Sequence, residues 1–424
     1  MALVEPLPRQ AVLFHIGPPK TGTTALQQAA AGMRPELLAR GVRYPGRGVN
    51  HRQAVASFMG RPASWAVADG SRARQPSPRH WKQLLGEMAA ERERRCWFGH
   101  EWAARATTDQ ARSLDQQLGP SLHTVITLRS FAHMLPSIWQ EHLKAGGGKG
   151  TFENWLRAIL RPSDDAERAK AALYDHIALV NRWVEVLGPD RVRVVVVDRH
   201  RPDFVFHAFE GLLDLPEGFL AAGRTVEGRN RSLTAPEAEL FRRLNRVSRR
   251  NGLPWTSHSR LVVHGSIARV LAEPVDAPPV RVPAWAASIA NERAAEIAEH
   301  LDASPVPVVG DLGTLADGIR QPAGSLDHRE VAAVPLDSAV EALAGMLSAA
   351  SGYRHDFRST PDQVVDQLAA HVADGLRAVR EVGPVALGKA VTRRGLRVFR
   401  DGRYLLRGSW IVREASGRTG RSAA

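Results

Sequence analysis

The sequence predicts an α/β fold in three layers, a P-loop-type central parallel sheet flanked by helices, and three observations support this. Short, continuously apolar runs recur at Ala11–Ile16 (AVLFHI), His123–Leu128 (HTVITL) and Val192–Val197 (VRVVVV). Helix-forming stretches separate them, and strands that are apolar at every residue belong to parallel sheets covered on both faces. The first run breaks at Gly17-Pro18-Pro19 and resumes as TGTTALQQAAAGM, which reads as strand, tight loop and helix.

The remaining elements follow in order. A second strand is expected at VRYP, and another at Arg95–Gly99 (RCWFG) after a charged helix near Trp81–Arg94. Helices are expected at Phe131–Lys144 and at about Leu173–Leu187, the latter closed by Gly188-Pro189. Gly60–Pro78 and Gly146–Gly150 read as surface loops. Beyond Pro236 the chain turns helical (AELFRRLNRVSRR), and a Pro- and Val-rich stretch breaks the pattern at Ala272–Pro283. Helices near Trp285–Leu301 and Ser338–Ala350 flank an irregular segment that runs to about Pro335. The domain reading is an α/β domain over 1–330, with its core at about 11–250, and a mostly helical extension with an Arg-rich tail over 331–424.

The chain has 57 Lys and Arg against 44 Asp and Glu, a formal balance of +13. Nine arginines against Asp401 and Glu414 between Arg393 and Ala424 carry +7 of that, so the body is only mildly basic. The tail is expected to touch an anionic membrane surface or glycan. The single cysteine, Cys96, excludes an internal disulfide and a multi-cysteine zinc cluster. No basic leader precedes a long apolar stretch, so a cytoplasmic protein with no membrane span is expected.

Gly17-Pro-Pro-Lys20-Thr21-Gly22-Thr23-Thr24 lies at the first strand-to-helix turn, where backbone N–H groups and a helix N-terminus make a cradle for phosphate. The glycine spacing fits the nucleotide-hydrolase loop GxxxxGK[ST], but Thr23 holds the lysine slot and the lysine has moved to position 20. Only six of the basic residues are lysines, which draws attention to Lys20. The strand HTVITL ends in Arg129 rather than a carboxylate, which disfavours a metal and favours a second phosphate.

At these residues the chain resembles the sulfotransferases that use 3′-phosphoadenosine 5′-phosphosulfate (PAPS). HIGPPKTGTTALQ is similar to their 5′-phosphosulfate loop, and LRSFAHMLPS is similar to their strand ending in arginine with a serine eight residues on, here Arg129 and Ser137. The resemblance covers roughly Val12–Arg246 with gaps and includes RNRSLTAPEAELFRRLNR. It implies sulfuryl transfer from PAPS, without a metal, to a hydroxyl or amine of a carbohydrate, lipid or small natural product. It places Gly17, Lys20, Thr21, Gly22, Thr23 and Thr24 at the 5′-phosphate and Arg129 and Ser137 at the 3′-phosphate, with Lys20 catalytic.

Such chemistry suits a compact ammonium, which stabilises charge building on one bridging oxygen. The acceptor also needs a base, and His51 (GVNHRQAV) and Glu101 (CWFGHEWA) are nearly equal candidates, with His100 third. His100-Glu101 does not open an HExxH zinc site, because position 104 is Ala104. Two alternatives stand beside this reading. One is a P-loop kinase or nucleotide hydrolase, which would need ATP and metal. The other is a nucleic-acid-binding protein using the basic tail, although no reading motif accompanies the charge.

Overall fold

The computed structural model describes residues 4–60, 76–148, 150–223, 231–272, 275–320, 331 and 333–351. The Arg-rich tail and most of the expected 331–424 extension lie outside them, as does the greater part of the Gly60–Pro78 loop. The described residues fall into two compact units, one drawn from the ranges 1–141, 150–229 and 281–330 and the other from 142–149, 230–280 and 331–424. The second unit therefore takes in two segments that come before the expected boundary at 330.

The first unit is built on a six-stranded, wholly parallel sheet. Its strands are β1 (Val12–Ile16), β2 (Val42–Arg43), β3 (Arg95–Gly99), β4 (Leu122–Leu128), β5 (Val192–Val196) and β6 (Val308–Val309), in the spatial order β2-β3-β1-β4-β5-β6. β6 lies in the segment expected to be irregular; two residues are too few to show a strand period. Parallel neighbours require crossovers, and helices Thr23–Gly32, Pro78–Ala89, Thr108–Leu118, Phe131–Lys144 and His176–Leu187 are among the elements that supply them.

β1 is buried at every residue because both faces of the sheet are covered. On one face Leu13 joins Trp97, Val125 and Val195 under Phe206, Phe209 and Leu212 of helix Phe204–Leu213. On the other, Phe14 stacks on Phe98 at 4.7 Å and meets the edge of Trp183 at 5.5 Å. Burying aromatic side chains on both sides fixes the register of β1. Cys96, in β3, is a buried free thiol.

From β1 the chain crosses outward to β2 and returns through β3, and from β4 it proceeds the other way to β5. The carboxyl ends of β1 and β4, paired from Val12↔Leu122 to Ile16↔Ile126, therefore border a topological switch point, the place where open α/β sheets bind ligands.

The described part of the second unit is helical. A capping box between Thr234 and Glu237 starts helix Ala235–Arg250. The stretch Trp255–Ala272 carries nine residues of wider π winding at Ser259–Ile267. Helix Leu336–Ser351 meets this π segment backbone to backbone, since a Cβ added to Gly265 would lie 2.6 Å from the Gly345 carbonyl oxygen. Among the described residues no helix is long and apolar enough to cross a membrane.

Candidate functional site

The loop after β1 is held by one side chain from β4. Thr127 Oγ1 donates to the Ile16 carbonyl at 3.3 Å and lies 2.9 Å from Thr21 Oγ1 and 3.3 Å from His15 Nε2. Gly17 presses on this junction, where a Cβ would fall 2.3 Å from Thr127 Oγ1 and 2.6 Å from its carbonyl oxygen. Only glycine lets the two chains approach so closely.

Lys20 and Gly22 both have positive φ, 73° and 79°, so the loop winds left-handed before helix Thr23–Gly32 begins. A lysine in that region carries strain, which accumulates at functional sites. Gly22 supplies no side-chain cap and the first turn holds no acidic residue, so the helix opens with its N–H groups uncapped by side chains. The hydroxyl of Thr21 is fully buried and donates to the Pro18 carbonyl at 2.8 Å, so it serves the loop from within. Thr23 is buried at the helix start and Thr24 is exposed.

The ammonium of Lys20 pairs with Glu141 at 2.7 Å. Glu141 lies on helix Phe131–Lys144 four residues after Ser137, and residues four apart share a helix face. Lys20 therefore reaches the face that carries Ser137. Ser137 is half-buried in the second turn of this helix, which begins at Phe131.

Glu101 follows β3 at the start of a short 3-10 turn, Glu101–Arg105. Burial pushes its carboxyl above the usual range, the Glu141 carboxylate adds to this, and Lys20 and Arg105 pull it back. Lys20, Glu101 and Glu141 thus share one electrostatic environment.

Arg129 leaves the end of β4 with its guanidinium partly buried and Nε without a hydrogen-bond partner. Burial and then the charge of Arg199 lower its pKa. Arg199, after β5, pairs with Asp317 at 3.2 Å, and the same carboxylate oxygen stands 3.6 Å from His133 Nε2.

The two candidate histidines are tied into the fold. His51 Nε2 lies 2.9 Å from the Pro45 carbonyl, and its Nδ1 accepts the Gly99 N–H at 3.2 Å. Burial lowers its pKa to about 4, which keeps the ring neutral. His100 accepts the Trp102 N–H through Nδ1, and burial lowers its pKa to about 3. Glu101, by contrast, lies in the same electrostatic environment as Lys20.

Sequence reasoning missed Thr127, Glu141, Arg199 and Asp317. Glu141 had a readable signal, its four-residue spacing from Ser137. Thr127 and Asp317 had none, because their partners are distant in sequence. Comparison of the chain with protein-family models, with curated proteins and with solved structures finds no match.

Proposed function

We propose that the chain is a PAPS-dependent sulfotransferase with a P-loop-type donor site, moving a sulfuryl group to a hydroxyl or amine of a carbohydrate, lipid or small natural product. The observation that carries the reading is the convergence at one switch point of the Lys20 loop after β1 and Arg129 after β4, with Lys20 joined to the helix face that holds Ser137. The residues suit such a donor. Gly17 permits close approach, the helix after Gly22 opens without a side-chain cap, and the Nε of Arg129 lacks a partner.

PAPS, when bound, supplies the activated sulfuryl group and a phosphate leaving group. The uncapped N–H groups beside Gly22, with Thr23 and Thr24, would hold the 5′-phosphate, while Arg129 and Ser137 would hold the 3′-phosphate. Lys20 would stabilise charge developing on the departing phosphate oxygen, which requires its ammonium to leave Glu141. Glu101 takes the acceptor's proton, because its raised pKa brings it nearer the working pH of a general base. His51 then supports the strand end that carries Glu101, through the Gly99 N–H.

The kinase alternative is weaker. β4, adjacent to β1, is followed directly by Arg129, and Asp198, two residues past β5, already accepts from the His200 N–H and from Arg201 at 2.8 Å. Titration with adenosine 3′,5′-bisphosphate in the absence of Mg²⁺ tests the reading, as does mass spectrometry for acceptors that gain one sulfuryl group. Tight ATP·Mg²⁺ binding with no affinity for the bisphosphate would overturn it.

A further inference from the structure

Around Arg129 the structure gathers a second guanidinium, Arg199, and the imidazole of His133, whose pKa burial and then the charge of Arg199 lower, and the Asp317 carboxylate sits among them. Asp317 Oδ2 lies 3.2 Å from Arg199 and 3.6 Å from His133 Nε2, the latter beyond hydrogen-bonding distance. The main chain beneath it is fixed. Ser130 Oγ donates to the Asp317 carbonyl at 2.6 Å, and Asn291 clamps Ile319 by accepting its N–H at 2.8 Å and donating to its carbonyl at 3.2 Å. The Asp317 side chain, about one-third exposed, can therefore rotate away while its backbone stays in place. Beside this group the Nε of Arg129 has no hydrogen-bond partner.

A carboxylate that touches one guanidinium and stands short of an imidazole, with a second guanidinium unsatisfied nearby, fills the cluster less completely than a dianionic phosphate would. Phosphate has three terminal oxygens and suits forked guanidinium donors. The position also agrees with the rest of the site. His133, Ser137 and Glu141 are spaced four apart on helix Phe131–Lys144, so one face runs from this cluster to Lys20 over about 12 Å.

We propose that Arg199 and His133 complete, with Arg129, the subsite for the donor's 3′-phosphate, and that Asp317 is its internal counter-ion, which neutralises the cluster until the phosphate displaces it. The inference rests on the donor reading above and adds to it a source of selectivity. A nucleotide lacking the 3′-phosphate leaves Asp317 in place and gains nothing from the cluster, whereas the bisphosphate exchanges one carboxylate for a better-matched anion.

The test compares affinities for adenosine 3′,5′-bisphosphate and adenosine 5′-phosphate in the full chain by calorimetry, with melting temperature read alongside. Asp317→Asn should tighten bisphosphate binding by about two- to fivefold, the worth of one partly exposed ion pair, and leave the monophosphate unchanged. Arg199→Ala should weaken bisphosphate binding by about tenfold or more, again with no effect on the monophosphate. A lower melting temperature in Asp317→Asn with an unchanged ratio of affinities would make the pair purely structural and overturn the inference. If Arg129→Ala loses bisphosphate selectivity while Arg199→Ala and Asp317→Asn keep it, this inference fails and the donor reading stands. If the unmodified protein does not distinguish the two nucleotides, both fail.

Discussion

Lys20 and Glu141, one on the loop after β1 and the other on the helix after β4, form an ion pair at 2.7 Å across the switch point of the sheet. Both side chains are about one-third exposed, so the pair adds little to stability, about 0–1 kcal/mol. Its consequence is electrostatic. It holds an ammonium at the helix face that carries Ser137, and its two charges act on Glu101 in opposite directions.

If the proposed reading holds, Lys20→Ala is expected to lower kcat by about 10²-fold or more while weakening bisphosphate binding far less, because the ammonium would act on charge that develops during transfer. Steady-state rates and calorimetric affinities measured on the same preparation separate the two effects.

The acidic limb of the pH–rate profile should move in opposite directions in two variants. On the proposed reading Glu101 serves as a base only when ionised, so activity is expected to fall as pH drops through its pKa. The Glu141 charge raises that pKa and the Lys20 charge lowers it. Glu141→Gln should therefore shift the limb to lower pH, and the residual activity of Lys20→Ala should show it at higher pH. A limb that stays fixed in both variants would remove Glu101 from the reaction.

His51→Ala is expected to cost about 1–3 kcal/mol of stability, since it leaves the buried Gly99 N–H without its acceptor, yet to retain kcat in the folded fraction. Glu101→Gln should show the reverse, a loss in kcat of about 10²–10⁴ with little change in melting temperature. Thermal melts paired with rates at saturating donor distinguish the roles.

Gly17→Ala should destabilise the protein by about 1–3 kcal/mol, because its methyl group would lie 2.6 Å from the Thr127 carbonyl oxygen and the two strand ends would have to part. Urea unfolding measures this cost, and weakened bisphosphate binding in the folded fraction would accompany it.

Stability should fall in mild acid. Burial lowers the pKa of His15 and His100 to about 3 and of His51 and His176 to about 4. Above about pH 6.5 these rings are neutral whether the chain is folded or not, and stability is unaffected. As pH falls from there toward 4 to 3, the unfolded chain takes up protons that the folded chain refuses. Each ring then costs about 1.4 kcal/mol per pH unit. Urea midpoints across that range check the slope.

The parallel sheet could be read from the sequence because β1, β4 and β5 are short, mainly apolar runs separated by helical stretches, as strands covered on both faces tend to be. Lys20 and Arg129 were legible for a different reason: one lies in the loop after β1 and the other directly follows β4, so position in the chain gave position in the fold. His51 showed the limit of that reasoning. Its place after the strand VRYP made it a candidate base, but its surroundings are set by the Pro45 and Gly99 backbone, and sequence spacing does not reveal which backbone group each ring nitrogen meets. Asp317 was hidden more completely, since its partner Arg199 lies on a different element and no local period links them.

The contact between Thr21 and Thr127 joins positions 106 apart, with β2 and β3 formed by the residues between them. As the chain leaves the ribosome, β1 can pair with β3 but still lacks its second neighbour. The loop after β1 gains the Thr127 tether only once β4 has emerged. A nascent fragment ending before Leu122 would therefore present the glycine loop without the strand that braces it, so the loop would reach its final shape only after the middle of the polypeptide has emerged.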